Sequence, residues 1–260
     1  MTRTGRTPIA IALLLATAVA ASVTVRASAP EVSHAAAAAA RPAADADESP
    51  NLIATADLNG DGLADVVEIV LPADGHSGTA SLLVLFGQKD GSFRAGPKPI
   101  ALEGDPQSLT AGDFNGDGNA DLLIGYKDGA VKELLGDGKG NLQSAGEVAH
   151  VGSAVSITVG DFNRDGIPDV AISDLSGNAV EIFLGSGHGS FRLGWSFALP
   201  MKGVVFYLAA ADFNGDGVSD LAITSGEDGT FVVMLGNGNG TFTYAPSLSN
   251  IRDPNSYCPT

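Results

Sequence analysis

Asp113-Phe-Asn115-Gly-Asp117-Gly118-Asn119-Ala-Asp121 puts oxygen-bearing side chains at positions 1, 3, 5 and 9 of a nine-residue loop, with glycine at position 6. The loop occurs three more times: Asp57-Leu-Asn59-Gly-Asp61-Gly62-Leu63-Ala-Asp65, Asp161-Phe-Asn163-Arg-Asp165-Gly166-Ile167-Pro-Asp169 and Asp212-Phe-Asn214-Gly-Asp216-Gly217-Val218-Ser-Asp220. Asp, Asn, Asp, Gly and Asp are unchanged at the same five positions. Hard cations want such a set, because Ca²⁺ takes about 6–8 oxygen ligands and a glycine lets the chain turn sharply round the ion. The expected side-chain ligands are Asp57, Asn59, Asp61 and Asp65; Asp113, Asn115, Asp117 and Asp121; Asp161, Asn163, Asp165 and Asp169; and Asp212, Asn214, Asp216 and Asp220. The residue at position 7 (Leu63, Asn119, Ile167 or Val218) is expected to offer its backbone carbonyl. The expected cofactor is Ca²⁺, up to one ion per loop.

The loops start at residues 57, 113, 161 and 212, so they recur every 56, 48 and 51 residues. A period of this size marks a repeat architecture. The flanks repeat as well. A short strand-like run precedes each loop: 52–56, 108–112, 155–159 and 207–211. A second follows it: 66–70, 122–124, 170–172 and 221–223. A third ends on glycine: Leu82 to Gly87, Val131 to Gly136, Val180 to Gly185 and Phe231 to Gly236. A Gly-rich turn then leads to a fourth run around Phe93, Leu142, Phe191 and Phe242. These runs are rich in β-branched and bulky apolar residues and are punctuated by Gly and Asp turns. No stretch of ten or more residues after residue 50 holds a helical apolar period. Four antiparallel strands in about 50 residues make one propeller blade.

Asp-Phe-Asn-Gly-Asp-Gly-x-x-Asp-Leu followed by Leu-Gly-x-Gly-x-Gly-x-Phe closely resembles the FG-GAP/VCBS-type repeats, calcium-binding β-propeller blades related in loop design to those of integrin α-subunits. The resemblance covers residues 51 to about 247. It implies an all-β fold, a β-propeller of four four-stranded antiparallel blades at about 51–103, 104–151, 152–200 and 201–250. A closed four-bladed ring is the first expectation, and an open or oligomer-completed array is the alternative. The first repeat departs from the others. It has Leu58 where they have Phe114, Phe162 and Phe213, and it carries an insertion at 71–78.

Three other readings of the loops are weaker. An EF-hand needs a bidentate Glu at position 12 and flanking helices. Position 12 here is Glu68, Ile124, Ile172 or Ile223, each inside a strand-like run. Dockerin modules share the opening of the loop but are helical pairs. Asp, Asn and Gly also favour plain turns without metal. The third loop is the divergent one, with Arg164 at position 4 and Pro168 at position 8. Three carboxylates without a position-12 Glu predict Kd of about 10⁻⁴–10⁻³ M, the range of extracellular modules.

Residues 1–29 read as a signal peptide, with Arg3 and Arg6 before an apolar run from Ile9 to Ala20 and small-x-small patterns at Ala18-Val-Ala20 and Ala27-Ser-Ala29. An uncleaved anchor is the alternative. Residues 30–50 are Ala-rich with Pro and Asp and read as a linker, and 251–260 as a C-terminal tail. The expected location is secreted or cell-surface. The single Cys258 excludes an intramolecular disulfide. The formal charge is −16, and twelve of the thirty acidic residues sit in the four loops. So acidic a chain argues against nucleic acid, which needs basic surface.

The Gly-x-Gly-x-Gly runs from Gly136, Gly185 and Gly236 lead into β patterns rather than a helix, so they read as hairpin turns and not phosphate loops. His34, His76, His150 and His188 lack zinc spacing, and no Gly-x-Ser-x-Gly elbow is present. Trp195, Phe197, Phe206 and Tyr207 read as packing between the third and fourth blades, with a sugar-stacking platform as the alternative. The expected function is a non-catalytic binding or adhesion module for a glycan or extracellular protein. The alternative is a polysaccharide lyase or hydrolase on a propeller scaffold, which needs a catalytic cluster outside the metal loops.

Overall fold

Each apolar run forms a strand because its large side chains alternate between two sheet faces, and in the inner blades both faces meet a neighbour. The computed structural model describes residues 52–72, 79–198, 205–225 and 231–245. The leader, the linker, the tail with Cys258 and most of the first-repeat insertion lie outside them. All the described elements are strands. Blade 1 holds β1 (Ile53–Ala56), β2 (Asp65–Val70), β3 (Ala80–Gly87), β4 (Phe93–Ala95) and β5 (Ile100–Leu102). Blade 2 holds β6 (Pro106–Gly112), β7 (Asp121–Tyr126), β8 (Ala130–Gly136) and β9 (Leu142–His150). Blade 3 holds β10 (Ala154–Gly160), β11 (Asp169–Asp174), β12 (Ala179–Gly185) and β13 (Phe191–Ala198). Blade 4 holds β14 (Val205–Ala211), β15 (Asp220–Ser225), β16 (Phe231–Gly236) and β17 (Phe242–Tyr244).

Every sheet is an antiparallel meander in chain order. In blade 1 the outer strand is split, so β4 and β5 both pair with β3. Pro97 and Pro99 stand in the gap, and proline cannot donate to a ladder. The register repeats: Ala56 faces Asp65, Gly112 faces Asp121, Gly160 faces Asp169 and Ala211 faces Asp220. Each acidic loop is thus the connection between the first and second strands of its blade. Blades 2, 3 and 4 each carry a bulge near the start of the first strand, at Pro106/Ser108, Ala154/Ser156 and Val205/Tyr207. A bulge strengthens the local twist.

A core lies between each pair of successive blades. Blades 1 and 2 enclose Leu58, Val67, Leu82, Leu122 and Ile124. Blades 2 and 3 enclose Phe114, Leu123, Val131, Val170 and Ile172. Blades 3 and 4 enclose Phe162, Val180, Ile182, Leu221 and Ile223. The first strands run side by side as β1, β6, β10 and β14. Among the described elements no comparable contact joins β14 back to β1. The ring closure expected first from the sequence therefore does not show among these contacts, which run as an open series.

The loops also bridge blades. The residue at loop position 2 accepts a hydrogen bond from a glycine in the next blade's Gly-rich turn. Gly140 N donates to the Leu58 carbonyl at 2.8 Å, Gly189 N to Phe114 at 3.0 Å and Gly240 N to Phe162 at 2.9 Å. The side chains at these positions pack edge-on across the junction, Phe114 on Phe191 at 5.7 Å and Phe162 on Phe242 at 5.4 Å. Gly140 is constrained twice. Its φ is +86°, and a Cβ there would lie 2.1 Å from the Phe86 ring. Gly140→Ala is expected to destabilise the protein by about 2 kcal/mol, from left-handed strain and core overpacking, as read from denaturant unfolding.

Trp195 and Phe197 lie in β13, the outer strand of blade 3. Trp195 stacks on Phe197 at 4.6 Å and on Phe242 of blade 4 at 6.1 Å. They are inter-blade packing, as the sequence suggested. The Phe206 side chain lies outside the described residues, and Tyr207 belongs to β14.

Candidate metal centres

Local hydrogen bonding explains the shape of the loops. The carboxylate at position 1 curls back and accepts the loop's own amides. Asp113 Oδ1 accepts from Gly116 N at 2.8 Å and Asp117 N at 3.2 Å, and its Oδ2 from Gly118 N at 2.9 Å. Asp57 and Asp212 do the same. Asp161 accepts from Asp165 N and Gly166 N. The Asn oxygen at position 3 accepts the position 5 amide at 2.8–3.0 Å, and Oδ1 at position 5 accepts the position 7 amide at 2.8–2.9 Å. These are Asx turns in series.

Position 6 is glycine for its backbone conformation. Its φ is +79° to +83° in all four loops. Space is not the reason: a Cβ on Gly62, Gly118 or Gly166 would meet nothing within 4 Å. Arg164 at position 4 of the third loop takes φ +63°, where the other loops have glycine. Its Nη2 donates to the Asp216 carbonyl at 3.2 Å. The divergent residue thereby ties the third loop to the fourth.

Position 9 has a second role that the sequence reading did not contain. Asp65, Asp121, Asp169 and Asp220 are all fully buried. Each clamps two amides. Asp121 accepts from Phe114 N at 3.1 Å and from Gly136 N, at the end of the third strand, at 2.8 Å. Asp65 pairs with Leu58 and Gly87, Asp169 with Phe162 and Gly185, and Asp220 with Phe213 and Gly236. The strand-ending glycine makes this possible. A Cβ at Gly87, Gly136, Gly185 or Gly236 would fall 2.1–2.4 Å from the carbonyl oxygen of the position 8 residue.

Burial pushes the Asp169 carboxyl up to about 6; the amides of Gly185 and Phe162 oppose that shift, and Asp165 and Asp161 add to it. Asp121 is raised for the same first cause, with Asp117 contributing. Asp212, on the exposed rim, is lowered, chiefly by the Gly217 amide. The acidic side chains of a loop therefore sense one another. As they stand, no three His, Cys, Asp or Glu side chains among the described residues lie close enough together to hold a metal ion. The exposed half of each loop fits a cation better than the whole does. It carries Asp at 1, Asn at 3 and Asp at 5. Oxygens that hold a single amide, such as Asp113 Oδ2, Asn115 Oδ1 and Asp117 Oδ1, keep a second acceptor site, whereas Asp113 Oδ1 already holds two amides. Position 9 fits less well, because both its oxygens are buried and engaged.

Glu133 was also missed. It is buried on β8, and its Oε1 has no hydrogen-bond partner. Burial first, and Asp121 second, push its carboxyl up to about 7. A signal was there: the same strand position holds Val84, Ile182 and Val233 in the other blades. His188 is exposed in its turn.

The model of the FG-GAP-like repeat family matches three overlapping stretches, residues 57–124, 113–172 and 168–223. This chain belongs to the FG-GAP-like repeat family. Each match runs from an acidic loop, in the third case from its last two residues, through the rest of that blade to the second strand of the next, so it straddles two successive blades. Among curated proteins none matches this FG-GAP-like chain. Solved structures do. A protein from Lactobacillus plantarum superposes with a TM-score of 0.53 at 12% identity, over 75% of this chain and 54% of that one. A functionally unknown protein from Desulfotomaculum acetoxidans DSM 771 gives 0.54 at 14% identity, over 75% and 55%. At this identity the likeness is one of fold, and the FG-GAP-like chain spans about half the length of these structures.

Proposed function

We propose that this chain is an exported, calcium-stabilised propeller-type module that binds a glycan or an extracellular protein and performs no catalysis. The observation that carries the calcium reading is the exposed rim of the loops. Four times, Asp at 1, Asn at 3 and Asp at 5 are held in place by backbone amides on the exposed side of the loop. The leader carries the export reading. Among the described residues no helix is long and apolar enough to cross a membrane. Calcium would neutralise the crowded carboxylates of each loop and hold the first and second strands of a blade together. Asp at 9 serves mainly as the inner clamp in this scheme.

Calorimetric titration of metal-stripped protein with Ca²⁺ is expected to show up to four sites with Kd of about 10⁻⁴–10⁻³ M. Asp117→Asn should remove one of them. At about 1 mM Ca²⁺ and a Kd of about 0.1 mM, losing one site costs about 1.4 kcal/mol of stability. A titration without heat of binding, together with a melting temperature indifferent to EGTA, contradicts the reading. Binding on a glycan array that disappears in EGTA would support the glycan partner, and silence across a broad array would favour protein.

A further inference from the structure

Three junctions between blades are built to one plan, and Phe213 and Phe93, the aromatic parts for a fourth, lie exposed at the two ends of the series, while Ala222 and Val233 of blade 4 are buried. At each junction the loop position 2 side chain of one blade is buried against the fourth-run residue of the next. Leu58, Phe114 and Phe162 are 1%, 2% and 0% exposed. The corresponding Phe213 of blade 4 is 50% exposed. At the other end Phe93 of blade 1, equivalent to Phe191 and Phe242, is 49% exposed. They do not cover each other within the chain.

We propose that Phe213 and Phe93 belong to one junction formed between two copies of this chain, blade 4 of one copy stacking on blade 1 of the next. The internal junctions set the template for this contact. In them the loop residue at position 4 meets the middle of the next blade's turn. A Cβ on Gly60 would lie 3.1 Å from the Gly138 carbonyl oxygen, and one on Gly116 would lie 2.9 Å from that of Gly187. At the third junction Arg164 supplies a large side chain, and Gly238 opposite makes room for it. At the free ends the sizes are exchanged. Gly215 has nothing within 4 Å of a Cβ site, and the equivalent turn position in blade 1 is Lys89. Lys89 would reach over Gly215 toward Asp212 and Asp216, so its charge suits the acidic loop it meets. Blade 1 also leaves Ile53 exposed and Val66, Leu83 and Leu85 half-exposed. The blade 2 equivalents of Ile53 and Val66, which are Leu109 and Leu122, are buried in the first junction.

Such an interface is head-to-tail. Two chains related by a two-fold axis use both junctions and close a ring, and a rotation that does not close yields longer chains. It also gives an outcome that no self-matching patch can reproduce. In sedimentation velocity over a hundredfold range of loading, the full chain is expected to populate a two-chain species. Phe213→Asp and Phe93→Asp should each raise the concentration for association by at least tenfold. Both side chains are exposed, so the variants should melt like the parent. Mixed at high loading, the two variants should recover a two-chain species, because the intact Phe213 of one meets the intact Phe93 of the other. A wild-type chain that stays single throughout, variants that associate like the parent, or a mixture that does not recover would overturn the proposal. Lys89 would meet two carboxylates that the proposed function gives to calcium, so these readings are made in EGTA, separately from the metal titration.

Discussion

Asp121→Ala is expected to lower the melting temperature of EGTA-treated protein by roughly 8–16 °C. The side chain accepts the Phe114 and Gly136 amides with its two oxygens at a fully buried site. Alanine leaves both donors without a partner. A buried donor stripped of its acceptor costs about 1–3 kcal/mol, so two give about 4 kcal/mol. For a domain of this size each kcal/mol moves the transition by about 2–4 °C. Asn keeps one acceptor oxygen, and Asp121→Asn should fall about midway. Working in EGTA separates this clamp from metal binding. If the position 9 carboxylate acted only as a calcium ligand, the alanine variant would melt with the parent once the metal was removed. A difference near zero in EGTA would therefore remove the clamp from the account of this fold.

The architecture was legible because its signals are local and repeated. Four loops with identical spacing fixed where the first strand turns into the second. Short apolar runs such as Val66 to Val70 and Leu82 to Phe86, rich in β-branched and bulky residues and bounded by Gly and Asp turns, announced strands by length and flanks rather than by period. The site was legible only in part. Asp at position 9 carries the same letter whether it faces an ion or clamps two amides, and nothing within nine residues distinguishes these roles. The deciding partner, Gly136, lies on another strand, 15 residues away from Asp121. The role of that glycine was hidden for the same reason, since its close approach to the Ala120 carbonyl exists only in three dimensions. Ring closure was not legible either. It depends on the angle between blades, and that angle is set by packing across whole sheets such as Phe114 on Phe191. The first-repeat break between β4 and β5 was visible as Pro97 and Pro99, although the sequence reading did not use it.

Glu133→Leu is expected to stabilise the protein at pH 8 by about 2–3 kcal/mol and to leave it nearly unchanged at pH 4. The carboxylate is 1% exposed, its Oε1 has no hydrogen-bond partner, and it lies where the other blades place Val84, Ile182 and Val233. Burial first and the charge of Asp121 second raise its pKa from 4.5 to about 7 in the folded chain. In the unfolded chain it returns to the ordinary value. Between these values the folded state holds a proton that the unfolded state has lost, so stability falls as pH rises. The favourable state is complete below about pH 4.5 and is lost as pH passes 7. One pKa unit corresponds to about 1.4 kcal/mol, which bounds the loss at about 3 kcal/mol. Asp169 and Asp121 are raised as well and slope the same way. The decisive quantity is thus the difference between parent and variant across pH, measured by urea unfolding at pH 4, 6 and 8. Leucine removes the buried charge at similar volume, as an apolar replacement of an unpaired ion should. Glu133→Gln separates charge from polarity, because it abolishes the pH-dependent difference while leaving a buried amide to satisfy. A parent and a leucine variant with parallel pH profiles would mean that Glu133 is solvated or paired in solution, and the expectation would fail.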